Sequence, residues 1–518
     1  MRNADSFKKR YFVKFLKSIS DALINVFLLL FVPRVLGPAN YGSFSFIRDT
    51  FQNIISFSDL NLNSAHINYA ARKQSSGTAS NVYFTYTLLV GILLLLFVLF
   101  ITQTGIDQYL FPKQSVEYLF LGSILAYLMY LSTGLMGLSD SKVATVGFEI
   151  RSIIINISMF CMLVLLYFTH LLNLETYFLQ RILLYLVLLV FGYFYLSRSI
   201  SFRFRIVNPR DKEVKGIIRD FFIFSHPLFT LSIVGILFGF FDRWFLQIIY
   251  GSVSQGFFTL AFSLSSIASL FLSPMTPLMM QSIAKADEDN NNLGIKNAFD
   301  KVKFLYLISA FLSIFFMFHT KEIMGLIGGS NYQAATSTVI VMFIYPIHVV
   351  YGQFCGGVLI ALRKTHLYRN ISIVSTIVGF IITYFLLAPK SFFIPGLELN
   401  SFGLALKLVL IQLFSVMIQL YFVCKYFKVK IWGYLISQII IPMPILFIGF
   451  LEWFIMHSFS FIPHGPIENV LILAGSLTFW FLVLGSILWL FPYLGGFDKA
   501  FLKSNIQQVA SLIRRKVS

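Results

Sequence analysis

The stretch Tyr41-Gly-Ser-Phe-Ser-Phe-Ile-Arg-Asp-Thr-Phe-Gln-Asn-Ile-Ile-Ser-Phe-Ser-Asp-Leu-Asn-Leu-Asn-Ser-Ala-His66 carries two patterns at once. It is apolar enough and long enough to cross a hydrocarbon core, which takes about 20 residues. Yet Ser45, Arg48, Gln52, Ser56, Asp59, Asn63 and His66 recur every three or four positions. At 100° per residue they fall within an arc of roughly 80°, with Asp49 beside it. Inside a bilayer such a helix must turn its stripe to water or protein, never to lipid. Isolated salt bridges explain the stripe less well, because a structural pair needs two residues and here most of the helix length is polar.

The rest of the chain has the same character. Of 518 residues 57% are hydrophobic and 12% charged, against about a quarter charged in soluble domains. Phe (60) and Tyr (25) abound, as suits lipid contact and interfacial belts. Spanning runs occur at 18–37, 43–66, 82–104, 116–138, 145–168, 174–196, 220–249, 256–283, 303–319, 336–361, 366–388, 401–424, 432–457 and 467–491. The fold expected is an all-α polytopic membrane protein of about 14 transmembrane helices. Basic residues crowd the N-terminus, alternate loops and the C-terminal tail, whereas the opposite side holds only Arg34, Lys113, Lys321 and Lys390. This positive-inside bias places both termini in the cytoplasm. It accounts for the net charge of +18 without any nucleic-acid partner. The basic start followed by an apolar run resembles a signal peptide, but no small-residue cleavage site follows, so it reads as a retained first span. Cys161, Cys355 and Cys424 form no disulfide framework, and no GxxxxGK[ST], HExxH or GxSxG motif points to an enzyme.

An internal repeat organises the chain. Arg34-Val-Leu-Gly-Pro-Ala-Asn-Tyr-Gly42 follows span one, and Ile249-Tyr-Gly-Ser-Val-Ser-Gln-Gly256 follows span seven. Gly37 and Gly251, and Gly42 and Gly256, are both 214 residues apart. The turns Gly137–Lys142 and Ala361–His366 also match. The expectation is two six-helix lobes, 1–196 and 220–424, related by a pseudo-two-fold along the membrane normal. A basic cytoplasmic connector, 197–219, joins them, as a helix starting near Asn208-Pro209 or as a solvated loop. Two extra C-terminal helices occupy 425–491, and a basic amphipathic cytoplasmic tail 492–518.

Other polar residues sit where they are expensive. Span one carries Lys14, Lys17, Ser18, Asp21 and Asn25; span eight carries Thr259, Ser263, Ser266 and Ser273; span seven carries His226 and Asp242-Arg243. Spans one, two, seven and eight are therefore expected to line a hydrated cavity, although Asp242-Arg243 reads equally well as a helix-tying salt bridge. Glu149 and Arg151 are placed near the cytoplasmic surface. Arg181, Lys407 and Glu452 are isolated and read as structural or interfacial, and His348 as a packed histidine. The GxxxG pairs Gly235/Gly239 and Gly352/Gly356 read as helix-packing sites.

These motifs resemble those of bacterial polysaccharide transporters in the MOP (multidrug/oligosaccharidyl-lipid/polysaccharide) exporter superfamily. Arg34–Gly42 is similar to the family's loop after the first helix, and Asp242-Arg243-Trp244 with Gly251–Ala261 to the matching segment of the second lobe. Gly137–Lys142 also fits, so the likeness covers nearly the whole chain. The resemblance implies a Wzx-type flippase carrying undecaprenyl-pyrophosphate-linked oligosaccharide repeat units to the outer leaflet of the bacterial inner membrane. Such a protein serves O-antigen, capsule or exopolysaccharide synthesis, beside a glycan polymerase and other assembly proteins. It works by alternating access, with Na+ or H+ or the membrane potential as coupling agent and no other cofactor. A lipid II flippase and a MATE-like multidrug or cation antiporter are the alternatives. Span one has only Lys14 and Lys17 where lipid II flippases carry several arginines, which favours the polysaccharide branch. The substrate-binding residues expected are Arg48, Arg34, Asp59, Gln52, Asn63, Asp49, Lys17, Asp21, Asn25, Asp242 and Arg243. Arg48 is expected to grip the pyrophosphate, since Asp49 lies about 100° around the helix and Asp59 about 16 Å along it. A partner on another helix, such as Asp242, is the competing expectation.

Overall fold

The computed structural model describes residues 7–72, 76–270, 292–362, 364–458 and 466–495, with scattered positions between 272 and 289. Among them the regular structure is helical throughout. Among the described residues twelve helices are long and apolar enough to cross a membrane. The first of these, Phe12–Asp59, is two spans merged across a kink at Gly37. Ser252–Ile267 opens a further run whose continuation lies partly outside the described residues, Ser273 included. The protein is a multi-pass membrane protein. Its helices show lipid-facing stripes, as on α3 (Ser76–Thr104), where Leu89, Leu93, Leu96 and Phe100 are all exposed.

The chain divides into two compact units, Met1–Thr259 with Phe380–Ser401, and Leu260–Gly379 with Phe402–Ser518. The first unit holds α1 (Phe7–Asp59), α2 (Leu62–Arg72), α3, the short α4 (Asp107–Leu110), α5 (Val116–Ser141), α6 (Thr145–Phe168), α7 (Leu174–Ser199) and α8 (Lys212–Tyr250). It also holds the start of α9 (Ser252–Ile267). Local chemistry sets these boundaries. Asn173 and Thr176 form a reciprocal capping box at the start of α7, and the Asp211 carboxylate accepts from the Glu213 N–H to start α8. An aromatic core of Tyr83, Phe84, Phe148, Phe202 and Phe221 ties the helices together, with the buried His66 ring stacked 4.5 Å from Tyr83.

The connector is neither a separate helix nor a free loop. Its backbone lies along α3, where Arg205 and Val207 donate N–H bonds to Asn81 Oδ1 (3.0 Å) and Thr85 Oγ1 (3.3 Å). Phe202 is buried in the aromatic core. The basic residues after Asp211 form the first turns of α8, which runs 39 residues into the next span. Apolar Phe202 outweighs the solvation that its basic neighbours seek.

The second unit contains α10 (Asn292–Phe318), α11 (Thr320–Ile327), α12 (Thr336–Met342) and α13 (Tyr345–Ala361). Most of α14 (Thr365–Leu387) and α15 (Asn400–Tyr426) belong to it, followed by α16 (Ile431–Ile440), α17 (Pro442–Ser458) and α18 (Pro466–Leu490). Gly352 and Gly356 are packing glycines: an added Cβ would come within 2.5 Å of Gln412 and 3.0 Å of Tyr368. Gly235 and Gly239 are not, because no described atom lies within 4 Å of a Cβ there. Glu452 on α17 is buried and accepts from Trp480 Nε1 on α18, with His319 Nε2 3.2 Å away. This polar knot fastens the last two helices to the end of α10. Residues 496–518 of the expected amphipathic tail lie outside the described residues.

Candidate functional site

Two features of the first unit meet along α1. One is a cavity of about 960 Å³. It is walled by both halves of α1, by Asn61 and Asn63 at the start of α2, by α5, α6 and α7, and by Gly235 and Ile236 of α8. Lys17, Asp21, Asn25, Gln52, Asp59 and Asn63 line it, as expected of the two stripes. Within the first unit α5, α6 and α7 line it as well, beyond the spans expected to do so. They were passed over because each brings single polar residues among many apolar ones rather than a stripe. Tyr130, Asn156, Gln180 and Arg181 are the residues so missed, and a lone polar group in an apolar span was the available signal.

The lining is rich in amides: Asn25, Gln52, Asn53, Asn61, Asn63, Asn156 and Gln180. Each offers both a donor and an acceptor, the complement of a hydroxyl. Two carboxylates are differently held. Asp21 binds Lys17 Nζ at 2.7 Å and accepts from Asn156 Nδ2 at 2.8 Å. Asp59 accepts from Tyr130 Oη at 2.5 Å and more weakly from the Asn63 N–H at 3.5 Å. Asp59 ends α1, and Leu60 and Asn61 after it both take positive φ (53° and 59°). A leucine in that region costs about 1–2 kcal/mol, so the chain is bent under strain beside an acidic group of the cavity. Arg181 turns its Nε and Nη2 to Tyr177 Oη, at 3.3 and 3.1 Å, from one helical turn away.

The other feature is a seam where the two repeat motifs meet. Gly37 and Gly251 take the same left-handed conformation, φ 71° and 77°. Each starts a new helix direction, for which glycine alone carries no Cβ penalty. Beyond them the backbones touch. A Cβ on Gly42 would lie 1.8 Å from the Ser252 carbonyl oxygen, and one on Gly256 would lie 2.1 Å from that of Pro38. The two contacts are images of one another under the offset of 214, which carries Gly42 to Gly256 and Pro38 to Ser252. The 2.7 Å hydrogen bond between Ser45 and Thr259 joins two positions that are themselves 214 apart. The repeat read from the sequence is a reciprocal joint.

Ions lock this joint. Asp49 Oδ1 accepts from Arg48 Nε and Nη2 (2.9 and 2.7 Å), and its Oδ2 from Arg243 Nη2 (3.0 Å). Arg243 Nη1 reaches Gln255 and Thr259, both at 3.0 Å. The Asp49 partner that wheel geometry set aside for Arg48 is therefore the one it uses, because a guanidinium on three methylenes reaches across 100° of helix. Arg48, Asp49 and Arg243 lie outside the cavity lining. Asp242 and Arg243 do not pair with each other in this network: Arg243 ties α8 to α1, and Asp242 accepts from Thr383 Oγ1 at 2.6 Å. Arg34 is exposed and belongs to neither feature. Among the described residues no cluster of metal-ligand type occurs.

A multi-pass helical bundle with a polar chamber beside a seam of crossing helices has the build of a transporter. Residues 8–279 match the family described as polysaccharide biosynthesis protein, and the chain belongs to that family, within the MOP superfamily. Its members are transporters rather than enzymes. Over 421 residues, 81% of this chain and 100% of the relative, it is 21% identical to the capsular polysaccharide biosynthesis protein CapF of Staphylococcus aureus. The fold is similar to the lipid II flippase MurJ in an inward closed conformation (TM-score 0.69, 12% identity, covering 92% of this chain and 98% of that one). It is also similar to an inward-facing MATE-family multidrug resistance transporter (TM-score 0.62, 11% identity, covering 80% and 95%).

Proposed function

We propose that the protein is a flippase for polyprenyl-pyrophosphate-linked oligosaccharides, feeding O-antigen, capsule or exopolysaccharide synthesis from the bacterial cytoplasmic membrane. The amide-rich cavity is the observation that carries this reading. A multidrug transporter selects apolar cations and gains nothing from seven amides, whereas a glycan presents hydroxyls that need paired donors and acceptors. Membership of a polysaccharide family points the same way. The basic loops support cytoplasmic termini, an orientation that puts the glycine seam on the outer side. Cargo enters from the cytoplasm while the seam is closed and leaves when it parts, driven by Na+ or H+ or the membrane potential. A polymerase or ligase takes the delivered unit outside. The test is complementation of a strain whose repeat-unit flippase is deleted. Restored surface glycan is the expected result. Rescue of a lipid II flippase deletion instead, or drug resistance without glycan, would overturn it.

A further inference from the structure

The cations expected at the site are nearly all committed to carboxylates. Lys17 is held by Asp21, and Arg48 and Arg243 share Asp49. Arg181 is different. It lines the cavity, yet no carboxylate of the described residues lies within 4 Å of it. Its neighbours are neutral: the Tyr177 hydroxyl takes Nε and Nη2, and the Tyr177 ring centre lies 5.2 Å from the guanidinium carbon. Of five N–H donors, those of Nη1 meet no acceptor among the described residues. A guanidinium at membrane depth without a counter-charge is expensive, and the cavity that Arg181 lines is open to one. The next residue, Gln180, is 3% exposed; it donates to the Met159 carbonyl at 2.9 Å and leaves its own oxygen unpartnered. Tyr177 is itself fixed, 5% exposed and in ring contact with Phe44 at 4.6 Å.

We propose that Arg181 is the anion contact of the cavity, presenting its open edge to the phosphate oxygens of the cargo's pyrophosphate. The assignment rests on the flippase reading, which supplies the pyrophosphate. Two parallel N–H···O bonds to a phosphate are the contact a guanidinium makes best. Tyr177 is a positioning residue: it holds the fork by one edge and leaves the other clear. A carboxylate of an acidic sugar would present similar oxygens but less charge.

Calorimetric titration of the purified full-length protein with inorganic pyrophosphate tests this directly, with glucuronate as the carboxylate arm. Binding should weaken with salt, and Arg181→Gln should lower the affinity about tenfold or more, with Arg181→Lys in between. Tyr177→Phe keeps the charge and should lose far less than Arg181→Gln. Arg151→Gln removes a guanidinium that sits over Tyr195, outside the cavity, and should leave the affinity within about twofold. Wild-type affinity in folded Arg181→Gln overturns the proposal, as does equal loss in Tyr177→Phe. Glucuronate binding that is tighter than pyrophosphate and depends on Arg181 overturns the phosphate assignment. The flippase reading fails separately: pyrophosphate bound through Arg181 by a protein that rescues no glycan export would sink that reading and leave this one standing.

Discussion

The Asp49 carboxylate serves two guanidiniums, so substitutions in this triad should have unequal effects. Asp49→Asn leaves Arg48 and Arg243 facing each other without an anion. It should cost about 3–5 kcal/mol, less whatever partial exposure screens, and lower the thermal midpoint in detergent. Arg48→Gln leaves Asp49 paired with Arg243 and should cost about 1 kcal/mol or less. Equal losses would mean that the triad does not act as drawn. The glycines of the seam make a second prediction. A methyl group on Gly256 meets the Pro38 carbonyl oxygen, which is backbone and cannot step aside. Gly256→Ala should therefore disfavour the closed seam by about 1–3 kcal/mol, with export falling while the protein level in the membrane is maintained. Normal export by this variant would show that the seam need not close as seen here.

At the scale of the helix, the stripe on the second half of α1 divides in two. Gln52, Ser56 and Asp59 face the cavity, as does Asn63 past the break on α2, whereas Ser45 and Arg48 serve the seam. Cysteines at 52, 56, 59 and 63 should react with a small hydrophilic thiol reagent once Cys161, exposed at the surface, has been replaced. Cysteines at 47 and 50, both buried, and at 57, on an exposed apolar position, should not. Uniform labelling would put the stripe on the wrong face. The polar stripe and the repeated glycines were legible because period and offset are properties of the chain alone. The counter-ion of Arg48 was not, since side-chain reach escapes a projection of Cα directions. Nor was the share of α5–α7: a lone Arg181, Gln180 or Asn156 in an apolar run signals burial or function alike until the cavity shows which. The break after Asp59 escaped notice for a related reason, since neither Leu60 nor Asn61 is a glycine. Leu60→Gly should raise stability by up to about 1 kcal/mol in thermal or denaturant unfolding, and a fall would mean that the side chain's packing outweighs the strain.

For the molecule as a whole, the last two helices depend on a small polar knot. Glu452→Gln forfeits a charged acceptor for Trp480 and His319 and should cost about 1–3 kcal/mol, read as early proteolysis near the end of the chain. Unchanged proteolysis would mean that apolar packing alone holds these helices. Topology is checked by reporter fusions after Ser518 and near Asn208, both of which should report the cytoplasm. The reciprocal seam carries a last consequence, one of heredity. Gly42 and Gly256 lie far apart in the gene but guard the two sides of one contact. Once either has gained a side chain the backbones are already apart, so the second change has little left to spoil. Losses at the two codons should therefore fall well short of additive, and a compensating change for one should arise in the segment facing it, at Ser252 for Gly42 or Pro38 for Gly256, sooner than beside it.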